Sequence, residues 1–234
     1  MSTAPDRRTV ESFRLGYVPG VSPGKWVRIW GERVQGTPLD LVQLKHQTAA
    51  DELRSCRVDA ALLRLPVDRS TEPALSVIPL YTETTVVVVP KEHLLCALDE
   101  ARLDDLADET VWHPDDDVLD WAQVPGRAAS SRPTTTAETI ELVAAGVGLV
   151  LVPQSLARLH HRRDLTYRPI TDAVQSQVGL AWPEDATTDL VEEFIGIVRG
   201  RTVNSSRGRS PAVPQQKAKP ARKGNQSPRR ARRH

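Results

Sequence analysis

The sequence predicts an α/β protein whose opening segment is half of a doubly wound sheet, on three observations. Residues 13 to 63 alternate strand and helix signals in the order β-α-β-α-β, and such short crossovers force parallel pairing with right-handed connections. The run Val86-Val87-Val88-Val89 lacks polar alternation, as expected of a strand buried on both faces. Of the 234 residues 39% are apolar but only 4% aromatic, so the core must be built from Val, Leu, Ile and Ala. These residues suit buried parallel strands and their covering helices.

Taken in order, residues 1–12 are polar and read as a loose N-terminus. Phe13 to Val18 alternates apolar with small or charged residues and stops at Pro19-Gly20, which reads as a strand and turn. Ser22 before Pro23 is a helix-start pair, a hydroxyl to accept from free amides and a proline at the first helical position. The helix should run to about Gln35, with Trp26, Val27, Trp30 and Val34 as one buried stripe, before Gly36 and Pro38 end it. Leu39 to Leu44 reads as the second strand, Thr48 to Cys56 as a short helix with Ala49, Leu53 and Cys56 on one side, and Val58 to Leu63 as the third strand. Leu75 to Leu80 and Thr84 to Val89 follow as strands, closed by Pro90 and Lys91.

Leu103 to Ala107 reads as one helical turn and Thr110 to Trp112 as a short strand. From His113 to Arg132 no element is assigned, because three aspartates, Pro125 and Gly126 surround a brief apolar piece at Val118 to Val124. Thr135 or Thr136 then caps a helix through Ala145, with Glu138 or Glu141 where the helix dipole favours an anion and Gly146 as its C′ residue. Strands are expected at Gly148 to Val152, Leu165 to Pro169 and Ser176 to Trp182, with a short helix from Pro153. Thr188 caps a last helix that faces Leu190, Val191, Phe194, Ile195 and Val198 inward.

The formal net charge of +1 averages two unlike pieces. From Arg201 onward there are eleven Lys or Arg and no Asp or Glu, leaving 20 basic and 30 acidic residues before it, net −10. The basic tail, residues 200–234, is too poor in apolar groups to offset its ordering entropy and is expected to be disordered. Cys56 and Cys96 lack any CxxC or Cys/His pairing, so no disulfide framework is expected. There is no apolar run of about 18 residues and no charged-then-hydrophobic leader, which points to the cytoplasm and away from the membrane.

Several strings resemble the effector-binding (substrate-binding) domain of LysR-type transcriptional regulators over Phe13 to Arg199. They are Phe13-Arg14-Leu15-Gly16, Thr37-Pro38-Leu39-Asp40-Leu41, and Asp51-Glu52-Leu53-Arg54 through Val58-Asp59-Ala60-Ala61-Leu62. Thr139-Ile140-Glu141-Leu142-Val143-Ala144-Ala145-Gly146-Val147-Gly148-Leu149-Val150-Leu151-Val152-Pro153 resembles the family's helix, glycine turn, strand and proline. Leu103-Asp104-Asp105-Leu106-Ala107-Asp108-Glu109 is similar to its linker into the second lobe. The resemblance implies a two-lobed type 2 periplasmic-binding-protein-like fold with two crossover strands. Lobe one would hold 13–85 plus 178–199, and lobe two 86–177. It further implies a non-catalytic sensor of a small carboxylate-bearing or aromatic metabolite, linked to transcription regulation and paired as a homodimer. With only twelve residues before the first strand, the family's N-terminal winged helix-turn-helix and linker helix are expected to be lacking.

In open α/β sheets ligands sit beyond the carboxyl ends of strands, where helix N-termini offer free amides. Here those places are Gly20, Val21 and Ser22 after strand one, His46, Gln47 and Thr48 after strand two, and Arg64, Leu65 and Pro66 after strand three. His113, Thr135 and Thr136 come from the second lobe. The hydroxyls could bind a ligand or serve as helix caps alone, Arg64 could pair a carboxylate or make a lobe-surface ion pair, and His46 could be merely polar surface. Asp115, Asp116 and Asp117 have no spaced metal-binding partner and read as a solvated loop. His160-His161 beside Arg162 and Arg163 reads as cations at a helix end. No metal or cofactor is expected. GxSxG, GxxxxGK[ST] and HExxH are absent, so no enzyme is expected, with a solute-binding protein or an enzyme of the same fold as the alternatives. In the tail, Arg222, Lys223, Arg229, Arg230, Arg232 and Arg233 could hold nucleic-acid phosphates without reading bases, contact an acidic partner or the acidic lobes, or only aid solubility.

Overall fold

A computed structural model describes residues 12–201. The cations from Arg222 to Arg233 and most of the N-terminal segment lie outside the described residues. The first sheet contains β1 (Phe13–Tyr17), β2 (Leu39–Gln43), β3 (Ala60–Leu65), β4 (Leu75–Glu83) and β10 (Ser176–Pro183), in the order β2-β1-β3-β10-β4. The second contains β5 (Thr85–Pro90), β6 (Thr110–Trp112), β7 (Arg127–Ala128), β8 (Leu149–Pro153) and β9 (Leu165–Pro169), in the order β7-β6-β8-β5-β9. This is the mixed α/β, two-lobed architecture.

The directions of the strands place the functional ends. β1 runs parallel to both β2 and β3, while β10 runs antiparallel to its two neighbours. In the second sheet β6 is parallel to β7 and β8, and β5 is the reversed strand. Each reversed strand is the one that arrives from the other sheet, β5 directly after β4 and β10 after β9. A chain that leaves one sheet at a carboxyl end and continues into the next runs away from the first. The parallel strands β6 and β8 therefore point back toward it. The carboxyl ends of β1, β2 and β3 thus face those of β6 and β8. The two crossings touch, since Thr85 Oγ1 donates to the Val174 carbonyl at 2.5 Å.

The valine run behaves as its composition demands. Val87 and Val89 join Leu149, Leu151 and Leu106 on one face of the second sheet, and Val86 and Val88 join Val150, Val152, Ile140 and Leu156 on the other. α3 (Thr136–Ala144) and α4 (Gln154–Leu159) cover the latter face. In the first sheet α1 (Gly24–Arg33), α2 (Ala49–Arg54) and α5 (Asp189–Val198) close the core through Trp30, Leu53 and Phe194.

Several local expectations need correction. α1 begins at Gly24, with Pro23 rather than Ser22 at the N-cap: the Pro23 carbonyl accepts from the Val27 amide at 3.1 Å, and no side chain caps the helix. It ends at Arg33, since Val34 has left the helical region. The helix expected from Thr48 to Cys56 is a 3₁₀ turn, His46–Thr48, followed by α2. Cys56 takes φ +55°, and the bonds from the Cys56 amide to Leu53 O and from the Arg57 amide to Glu52 O close that end. Leu103–Leu106 is likewise a 3₁₀ turn. Both cysteines are free thiols, on segments of different sheets.

Candidate functional site

The β1 loop turns at Gly20, whose φ of +83° favours glycine. A Cβ there would lie 2.6 Å from Ser155 Oγ and 3.0 Å from Arg64 Nη2. The two lobes meet at this turn, which leaves no space for a side chain. Val21 is buried and Ser22 exposed.

Arg64 is the centre of the junction. Its side chain is 1% exposed; Nη1 donates to the Pro19 carbonyl at 2.8 Å, and Nη2 to Glu83 Oε2 at 3.1 Å and Ser155 Oγ at 3.0 Å. One guanidinium thus joins β3, the β1 loop, the end of β4 and, across the lobes, α4. Burial lowers its pKa against the opposing pull of Glu83, and an arginine so paired stays charged. Of the two readings open for Arg64, an ion pair is present, and it is buried and not at the lobe surface. Leu65 is half-buried, and Pro66 is exposed.

At the end of β2, His46 is half-buried and its Nδ1 lacks a hydrogen-bond partner among the described residues. Burial first, then the positive Arg64, lowers the His46 pKa, against the pull of Asp116 and Asp117 in the other lobe. Gln47 and Thr48 are exposed. Thr48 does not cap α2: its hydroxyl donates to Glu52 Oε1 at 3.2 Å.

In the second lobe Thr135 caps α3, accepting from the Glu138 amide at 3.1 Å. Thr136 does something else, for its amide and hydroxyl both donate to Asp116 Oδ1, at 2.6 and 2.8 Å. Asp117 accepts from the Leu119 amide at 3.0 Å and Trp121 Nε1 at 3.2 Å, and its Oδ2 lies 3.5 Å from His113 Nδ1. Of the three aspartates expected to be solvated, only Asp115 is exposed. The other two are half-buried acceptors that organise the loop. Asp116 reaches residues twenty positions away, which a reading of neighbours along the chain has no means of seeing. No group of three or more His, Cys, Asp or Glu among the described residues is placed to hold a metal ion.

Two cavities of about 470 Å³ are present among the described residues, one beside these elements. One, lined by Val111, His113, Asp117, Leu119, Trp121 and Arg132 among others, opens beyond β6. The second sits at the opposite, amino ends of β1 and β3, beside Arg14, Asp59 and Thr188. Buried His113 Nε2 has no hydrogen-bond partner among the described residues. The arrangement offers amides, hydroxyls, one compensated guanidinium and, at His46, an imidazole that burial keeps toward neutral, which are groups for holding a small molecule.

A family profile described as "LysR substrate binding domain" matches residues 9–202. The chain is 26% identical over 184 residues to the HTH-type transcriptional regulator AlsR of Bacillus subtilis (strain 168), an alignment covering 73% of this chain and 59% of that protein. It is 30% identical over 186 residues to a probable hydrogen peroxide-inducible genes activator of Streptomyces viridosporus, covering 72% and 58%. The chain thus matches about three-fifths of the length of these relatives. Among solved structures, the BenM effector binding domain with its effector benzoate superposes with a TM-score of 0.67 at 20% identity, over 81% of this chain and 91% of that one. The reduced form of OxyR gives 0.67 at 20% identity, over 83% and 97%.

Proposed function

This chain belongs to the LysR substrate-binding domain family, and on that premise we propose that it senses a small molecule between its two lobes and couples the binding to transcription regulation. The observation that supports this most is the convergence of strand ends from both sheets on Gly20, Arg64 and Ser155. A ligand seated between the lobes beside this direct contact would bias the angle between them about the two crossings, which is hinge closure. Gly20, Val21, Ser22, His46, Gln47, Thr48, Leu65, Pro66, His113 and Thr135 would line the same space, and Thr136 and Arg64 its two ends. The ligand leaves unchanged, so the protein is a sensor and not an enzyme. Cytoplasmic placement and a homodimer fit the regulators it is related to; no helix among the described residues is long and apolar enough to cross a membrane.

The test is a thermal-shift screen of the full chain against organic acids, aromatic metabolites and their matched amides and amidines. A ligand at a hundredfold excess over its Kd adds about 2.7 kcal/mol. For a chain of this size that raises Tm by roughly 5 to 10 °C. A library that leaves Tm unmoved, with no compaction in scattering, would sink the sensing reading.

For the basic tail we propose phosphate contact without base reading. Truncation after Gly200 should abolish the gel shift of any duplex and leave ligand-induced stabilisation intact. The shift of the full chain should weaken steeply from 50 to 200 mM salt. Retention of DNA binding by the truncated chain would assign that binding to the folded lobes instead.

A further inference from the structure

Both groups with which this cleft could hold an anion already hold one from the chain itself. At the head of α3 the Asp116 carboxylate takes the Thr136 amide and hydroxyl, at 2.6 and 2.8 Å. On the facing lobe Arg64 is matched by Glu83 at 3.1 Å and also donates to Pro19 O and Ser155 Oγ, while its buried Nε has no partner among the described residues. A helix N-terminus carries about half a positive charge, which one carboxylate on its free amides neutralises. Asp117 is adjacent, so Asp116, Asp117 and Glu83 stand against the buried Arg64, while on the same loop Arg132 pairs with Asp115 at 3.4 Å. Across the gap, Asp116 and Asp117 oppose the lowering effect of Arg64 on His46.

We infer that Asp116 sets the ligand class of this cleft: it refuses carboxylates at the head of α3 and admits a ligand whose group there is uncharged or cationic and donates hydrogen bonds, such as an amide or an amidinium. The inference rests on the cleft being the ligand site proposed above, and it reverses the carboxylate expectation drawn from resemblance. An incoming carboxylate would either lie against Asp116, where like charges in a partly dry site repel, or displace it and strand a half-buried anion without its donors. An amide or amidinium meets neither obstacle. Asp116 Oδ2 accepts no hydrogen bond among the described residues and is the acceptor such a group would use.

Acetate is the probe, applied to the full chain at pH 7 with chloride exchanged to hold ionic strength. Affinity is read by calorimetry and by the rise in Tm. The wild type should show no acetate-dependent stabilisation, whereas Asp116→Ala should bind acetate at least about tenfold more tightly than the wild type. Asp116→Asn keeps an oxygen for the Thr136 amide and so guards against a folding failure; it should fall between the two. Adding Thr136→Val to Asp116→Ala should remove part of the gain. Acetate binding by the wild type as tight as by Asp116→Ala overturns the inference, as does a gain that Thr136→Val leaves untouched. In the ligand screen, amides and amidines should outrank their matched acids, and the reverse order also overturns it. A wild type stabilised by nothing of any charge, alongside an Asp116→Ala protein that gains acetate, instead overturns the sensing reading and leaves the role of Asp116 standing.

Discussion

Replacing Glu83 by alanine should lower the free energy of unfolding by about 3–5 kcal/mol, because it strands a buried charge. Arg64 cannot escape by losing its proton. Its side chain is 1% exposed, so water cannot replace the lost partner, and the neutral acceptors Pro19 O and Ser155 Oγ do not balance a full positive charge. The companion variant separates this cause from simple loss of contact. Arg64→Met combined with Glu83→Leu removes both charges while keeping apolar volume, and should come close to wild-type stability, since the desolvation of a buried pair nearly cancels its attraction. Urea unfolding of the three proteins decides it; a single variant no less stable than the double one would mean that the pair is wetter than its burial implies. The same residues tie the lobes. A double-mutant cycle between Arg64 and Ser155 should therefore return a coupling of about 0.5–3 kcal/mol if the junction resists opening.

The pair also marks where reading the chain alone stops. Periodicity and caps report on residues within about four positions of one another. They were enough for the β1-α1-β2-α2-β3 unit, the buried valine strand, the cap at Thr135 and the one at Thr188. The sequence places Arg64 in the cleft as a residue just after strand three, although it lies within β3, but it does not place Glu83 there, because β10 lies between β3 and β4 and nothing local puts a strand from position 176 there. Ser155 is visible only once α4 is known to face the β1 loop. The aspartates failed for the same reason: a run of three acids looks solvated until β6 and β8 lie side by side and bring the head of α3 to Asp116. Residues 113 to 132 gave no periodic signal, and they contain only the two-residue strand Arg127–Ala128. Ser22 shows the opposite error, a local start motif placed one residue before the N-cap at Pro23, where no side chain caps the helix.

Trp30→Ala should destabilise the protein by about 3–5 kcal/mol, the range for deleting a large aromatic side chain from a packed core. Trp30 is 2% exposed and stacks on Phe13, with ring centroids 4.7 Å apart and planes inclined by 18°. Phe194 leans on both rings, at 5.3 Å from Phe13 and 5.9 Å from Trp30. Three rings from β1, α1 and α5 therefore make one contact, and removing the central helix's contribution leaves a cavity that two flanking elements cannot both close. The indole also donates from Nε1 to the Thr37 carbonyl at 2.9 Å, so truncation leaves that acceptor without its donor. Trp30→Phe keeps most of the stack and loses the hydrogen bond, and should cost about 1–2 kcal/mol, mostly from the unpaired carbonyl and the smaller ring. Denaturant midpoints at unchanged slope measure both. Equal losses in the two variants would assign the stability to the Thr37 hydrogen bond and not to packing. The trio sits on the core side of the first sheet, away from Gly20 and Arg64, so below the lowered Tm the affinity for any cleft ligand should stay within about twofold of wild type, as distant sites add independently.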